Sequence, residues 1–280
     1  MTSHSIPNSK RCVASVPPSG RFRRPEFDDR VRAALLSSVA GYVDTAAFLT
    51  LFGLYPAHLT GDLVAIGAGI ARATPIGLAA RIAVVPFFMF SVVAAAVVAR
   101  AFRRHNVAPV APLLGLMTVA LSAFLVAGVL LGPFNDGPDN WAVILTGCPA
   151  IAAMGIQNTI MREIYGRLCP TTMMTGNLTQ FTMDLAQLGL SKFEGNADHR
   201  ARTAREARRR MVKFGVPIAA FLTGAVLSGW LTGLFGLGSI AVPAATVAAL
   251  TVVAWRRSPQ RVTSVSTSRT VFLSLSDPRT

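Results

Sequence analysis

Four stretches of this chain (82–99, 110–131, 141–161 and 214–255) contain no charged residue at all. Each is about as long as a bilayer crossing, and the last is long enough for two. In hydrocarbon every backbone N–H and C=O has to be paired within its own segment, so runs like these can only be helices. That restricts the chain to an all-α integral membrane protein. Composition agrees: hydrophobic residues make up 52% and charged ones 14%, against roughly 25% charge in a soluble domain.

The formal net charge of +14 could suggest nucleic-acid binding. The basic residues, however, cluster before Val31, at 100–104, at 192–213 and after Trp255, all at ends of apolar runs. No aromatic-basic motif accompanies them. Cytoplasmic retention of positive loops explains the distribution, and no nucleic-acid partner is expected. Cys12, Cys148 and Cys169 show neither metal spacing nor an even count and read as free thiols. The segment before Val31 has no apolar core, so the first membrane helix is expected to serve as the insertion signal.

An internal repeat organises the polar residues. Gly41-Tyr42-Val43-Asp44-Thr45, followed by Pro56-Ala57-His58-Leu59-Thr60-Gly61-Asp62, returns as Gly155-Ile156-Gln157-Asn158-Thr159 followed by Pro170-Thr171-Thr172-Met173-Met174-Thr175-Gly176-Asn177. Each acid of the first copy, Asp44 and Asp62, has an amide counterpart, Asn158 and Asn177. The chain therefore reads as one membrane domain over 30–257, with repeats at 31–131 and 141–256. A basic N-terminal tail (1–29) and a flexible C-terminal tail (258–280) flank it.

Spans are expected at 31–51, 79–99, 110–131, 141–164, 212–234 and 240–255. Two shorter helices, from Thr60 to about Ala73 and at 174–190, begin after Pro56 and Pro170 and are too short for a crossing. Read as re-entrant half-helices, they give six membrane-spanning helices, three per half. An odd number per half makes the two repeats inverted, the arrangement of many secondary transporters. Both termini and the 191–213 segment then lie in the cytoplasm and 132–140 outside, with Arg72 and Arg81 on the unfavoured side. Eight full spans would rescue those two but put Arg100, Arg103 and Arg104 outside.

At Ala40-Gly41-Tyr42-Val43-Asp44, His58-Leu59-Thr60-Gly61-Asp62, Met154-Gly155-Ile156-Gln157-Asn158 and Met174-Thr175-Gly176-Asn177-Leu178 the chain resembles the YoaK-like family over about residues 30–257. These are small bacterial multi-pass membrane proteins built on a domain of unknown function. Asp62 stands where that family's pattern leads one to expect asparagine. The resemblance implies a location in the bacterial cytoplasmic membrane and no specific chemistry.

No Walker A segment, GxGxxG, HExxH or catalytic triad spacing is present, so neither enzyme activity nor a cofactor is expected. No His pair has ligand spacing, and no metal site is expected. The candidate substrate- or ion-binding residues are Asp44, Asp62, Gln157, Asn158, Asn177 and Gln180. Thr60 with Gly61 and Thr175 with Gly176 should cap the half-helices at the same site. Asp44 is the most demanding of these, because an acid in mid-helix costs about 2.5–3.5 kcal/mol to insert. A hydrogen bond to Asn158 or to a threonine would offset that; an ion or proton site would use it. Glu163 should pair with its neighbour Arg162 at the interface. Asp184 should serve structure by facing the basic segment. The expected function is secondary transport of a small polar solute, with a cation or proton as coupling ion. A passive channel and a non-transporting assembly or signalling partner are the alternatives. Beyond the lipid bilayer, the sequence identifies no oligomeric partner.

Overall fold

The computed structural model describes residues 27–71, 77–166, 168–193 and 195–257. Nearly all of both expected tails, and Arg72, lie outside the described residues. Within them the chain forms α-helices and no strands: α1 (Phe27–Thr50), α2 (Leu59–Ala71), α3 (Leu78–Arg104), α4 (Val110–Leu131), α5 (Trp141–Glu163), α6 (Met174–Leu190), α7 (Ala197–Phe235) and α8 (Ala241–Arg257). Short 3₁₀ turns follow α6 and α7.

Charged residues extend several helices beyond the apolar runs. Asp28 and Asp29 occupy the first turn of α1, where the exposed N–H groups favour negative charge. Arg103 and Arg104 close α3 at its carbonyl end. The basic segment and the span after it, expected as separate pieces, are one helix of 39 residues. Asn196 starts α7 by accepting from the N–H groups of Asp198 and His199. Pro217 lies inside α7 and has no N–H for Lys213 O four residues earlier. The Cys169 thiol takes that carbonyl at 3.3 Å.

Five helical stretches are long and apolar enough to cross a membrane: Asp28–Thr50, Leu78–Arg104, Val110–Leu131, Trp141–Glu163 and Ala197–Arg257, the last joining α7 and α8. Their outward faces are apolar rather than polar. Phe90, Val97, Leu130, Val226 and Trp230 are all more than half exposed. Water would not tolerate so continuous a surface, whereas lipid matches it. The molecule is a multi-pass membrane protein.

α1 and α5 form the centre, with buried Val39, Ala40, Val43, Ala150, Ile151 and Met154. α1 lies chiefly on α7, and α5 on α3 and α4; α2 lies on α3, α6 on α7, and α4 on α8. Exchanging α1–α4 for α5–α8 turns α1 on α7 into α5 on α3 and α2 on α3 into α6 on α7, and returns α4 on α8 to itself; α5 on α4 has only a weak counterpart, α1 on α8. α1 and α7 run in the same direction: Gly224 sits on Ser38, and Ser228 donates to Tyr42 O at 2.8 Å. α1 and α5 run oppositely, since Gln157 donates to Leu36 O while Gly147 lies against Leu54.

These pairings define two ends of the bundle. At one, Arg81 donates to Phe52 O and Gly53 O, and Asp139 accepts from Ala79 N at 2.9 Å. At the other, Arg103 meets Glu163 at 2.8 Å, Arg32 meets Tyr165, and Arg257 meets Asp28. The chain leaves α1 and re-enters α3 at the Asp139 end, with α2 between them. It leaves α5 and starts α7 at the Arg103 end, with α6 between them.

Candidate functional site

Each half places one polar side chain of its central helix against the segment that leads into its short helix. In the first half, Asp44 Oδ1 accepts from Ala57 N at 2.6 Å and Oδ2 meets His58 Nδ1, 14 residues on. In the second, Asn158 Oδ1 accepts from Thr172 Oγ1 at 2.6 Å, also 14 residues on. The pairs are equivalent in position and differ in chemistry: one can carry charge, the other cannot. Asp44 therefore bonds within its own half, not across the bundle to Asn158.

The short helices are fastened in the same paired fashion. Asp62 Oδ2 accepts from Tyr55 N at 3.2 Å, and Asn177 Nδ2 donates to Pro170 O at 2.7 Å; each reaches back seven residues. The reversal of direction follows from Pro170, which has no N–H to offer, so a donor is needed there and an amide supplies one. Asp62 is fully buried and its charge is met by Arg81.

Both short helices begin at one cavity of about 580 Å³. It is lined by Ala57, His58, Leu59 and Thr60 from the first half, by Thr172, Met173, Met174, Thr175 and Gly176 from the second, and by Phe88, Val92 and Ala96 of α3 and Asn158, Thr159, Arg162 and Glu163 of α5. Its position beside Arg162 and Glu163 puts it toward the Arg103 end.

Of the six residues expected to surround one site, Asn158 lines this cavity. Asp44 lies behind it, in contact with His58. Asp62, Gln157 and Asn177 are buried away from the lining. Gln157 instead ties α5 to Leu36 O at 2.9 Å and to Thr171 Oγ1 at 2.8 Å. Gln180 is half-buried and not part of the lining.

The threonine caps are also corrected. α2 starts at Leu59 and α6 at Met174, so Thr60 and Thr175 lie inside the first turns. The residue preceding α6 is Met173, which makes no side-chain cap. With Asp62 and Asn177 fastening the entering chain, both helices begin two residues earlier than caps at the threonines would give. Gly61 packs against the Tyr55 ring and does not line the cavity. Gly176 lines it, with nothing near the position of an added Cβ.

The candidate set omits several lining residues, His58, Thr172 and Arg162 among them. His58 stands in the first motif copy; its 14-residue spacing from Asp44, repeated by Thr172 and Asn158, was the available signal. Arg162 was expected to pair with Glu163. Successive helix residues point about 100° apart, and Glu163 is taken by Arg103, through Oε2 at 2.8 Å and through its backbone O at 3.0 Å. Asp184, as expected, faces the basic segment: Arg210 Nε donates to it at 2.6 Å. Among the described residues no group of three or more His, Cys, Asp or Glu is placed to hold a metal.

Residues 32–253 match the family model described as "Protein of unknown function (DUF1275)". No curated protein and no solved structure matches the chain.

Proposed function

The chain belongs to the DUF1275 family of proteins of unknown function, and from that premise we propose that it is a secondary transporter of a small polar solute, with protons as the coupling ion. The observation that carries the reading is the convergence of both half-helix starts, with the Asp44–His58 and Asn158–Thr172 pairs, on one cavity. Interrupted helices from two repeats, meeting around a polar pocket, are the common design of such transporters.

The reading takes the membrane domain as six crossings plus two re-entrant half-helices. α2 has 13 residues and spans about 20 Å, short of the roughly 30 Å core. Return of the chain to α3 at the Asp139 end, and to α7 at the Arg103 end, supports re-entry from opposite faces. The antiparallel run of α1 and α5 supports inversion of the repeats. The positive-inside rule assigns the Arg103 end to the cytoplasm. Arg81, the basic residue that fits this assignment worst, is neutralised by Asp62.

Coupling falls to the Asp44–His58 pair because its counterpart, Asn158–Thr172, cannot titrate. His58 faces Asp44 of α1 and the edge of Phe221 of α7, and shares the cavity with Arg162 and Glu163 of α5; Asp62 of α2 lies behind it, tied to Arg81. A proton taken up at His58 makes the cavity more positive, and a solute that prefers that state moves with the proton.

Flux into liposomes holding purified protein tests this, with amino acids, carboxylates and inorganic anions supplied in turn under an imposed pH gradient. Saturable uptake that responds to the gradient is expected. Asp44→Asn should stay inserted and folded but lose the response. Absence of flux for every solute, or a response unchanged in Asp44→Asn, defeats the proposal.

A further inference from the structure

We infer that the cavity selects an anion, an oxyanion such as a carboxylate or phosphate, and that Arg162 is the residue that recognises its charge. The inference rests on the transporter reading for its setting and adds the substrate class to it.

The charge balance of the lining carries the argument. Arg162 borders the cavity at the last turn of α5 and has no ion-pair or hydrogen-bond partner among the described residues. The one lining carboxylate among those residues, Glu163, is paired with Arg103, which donates one nitrogen to Oε2 and the other to the backbone O of Glu163. The two acids nearest the site are also committed elsewhere. Asp44 spends one oxygen on Ala57 N and the other on His58; Asp62 is closed off by Tyr55 N and Arg81. A cation entering this cavity would find its one lining carboxylate already paired with Arg103, and one free guanidinium.

The remaining lining groups are suited to an anion as well. Asn158 accepts from Thr172, which leaves its amide N–H₂ to donate, and that amide has no partner among the described residues. The first turns of α2 and α6 bring unpaired N–H groups to the same space, each helix start carrying roughly half an elementary positive charge. A guanidinium forms two parallel bonds to a planar or tetrahedral oxyanion, a geometry that an ammonium cannot match. A volume of about 580 Å³ accommodates an organic anion as readily as an inorganic one.

The test is the thermal unfolding midpoint of the purified full-length chain in detergent at constant ionic strength. The probes are inorganic phosphate, sulfate and succinate, with choline and glucose for contrast. At least one anion should raise the midpoint saturably, while choline and glucose do not. Arg162→Gln should keep the ligand-free midpoint and weaken the apparent anion affinity roughly tenfold to a hundredfold, the worth of a charged hydrogen bond. Arg162→Lys, which keeps the charge without the fork, should recover part of the loss.

Equal anion affinity in Arg162→Gln overturns the inference, as does stabilisation by choline or glucose in place of anions, or a midpoint unmoved by all three anions. The two readings fail separately. Saturable anion binding without flux removes transport and keeps the anion site; flux of a neutral solute that ignores Arg162 removes the anion site and keeps transport.

Discussion

The glycines that head the two motif copies act through what they lack. A Cβ on Gly41 would lie 2.2 Å from Phe221 O, and one on Gly224 would lie 2.0 Å from Ser38 O, so α1 and α7 touch backbone to backbone. In the equivalent place Gly155 lets α5 sit on α3, where a Cβ would meet Ser91 Oγ at 2.0 Å. Small residues are the general means of close helix approach where lipid removes any hydrophobic drive between helices. Gly41→Ala should therefore lower stability by about 1–3 kcal/mol, the cost of overpacking against an immovable backbone. Gly155→Ala should cost less, because the Ser91 side chain can turn aside. Gly67→Ala is the control, since nothing lies within 4 Å of its added Cβ. Thermal unfolding in detergent ranks the three, and a Gly41→Ala protein as stable as Gly67→Ala would contradict the contact.

At the scale of the element, α2 is held by one buried ion pair. Arg81 joins Asp62 to Phe52 O and Gly53 O, so a single guanidinium fastens α2, the end of α1 and the start of α3. Removing one member strands the other's charge. Arg81→Ala should destabilise by about 3–5 kcal/mol, and Asp62→Asn with Arg81→Gln should recover most of that. The double variant copies the neutral arrangement that Asn177 already provides for α6. A double-mutant cycle on unfolding midpoints measures the coupling, and additive losses would show the pair to be no latch. The existence of α2 and α6 was legible from Pro56, Pro170 and the shortness of the apolar runs after them. So was the first residue of α6, Met174. The start of α2 at Leu59 and the position of both threonines inside the first turns were not, because a Thr-Gly pair looks the same whether the fastening comes from the threonine or from an acid or amide two residues later. Partners far apart in sequence were equally hidden. Glu163 lies beside Arg162 in the chain, and only the fold brings Arg103, 60 residues away, to take its place. The internal match of Asp44 to Asn158 pointed to the right neighbourhood, but not to His58 as the side chain in front.

For the whole molecule, the distribution of charge between the two ends makes an orientation testable. Single cysteines placed at Asp136 and at Asp198 in a chain freed of its own cysteines should label from opposite sides of the membrane. A membrane-impermeant reagent is expected to reach the first from outside and the second only after the cell is opened. Labelling of both from one side would refute the six-crossing arrangement. The proline in α7 adds a mechanical consequence. The stretch from Ala197 to Arg210, about 21 Å of helix, is continuous with the membrane-embedded part of α7. Pro217 lies just past this stretch, and the carbonyl it frees is held by Cys169 from the loop that leads into α6. α7 thus has the parts of a hinged lever: a longer apolar arm against α1, a shorter charged arm, and a pivot clasped by the segment that shapes the cavity. A change in cavity occupancy that shifts this clasp would swing the outer arm, turning an event inside the bilayer into a displacement at its surface.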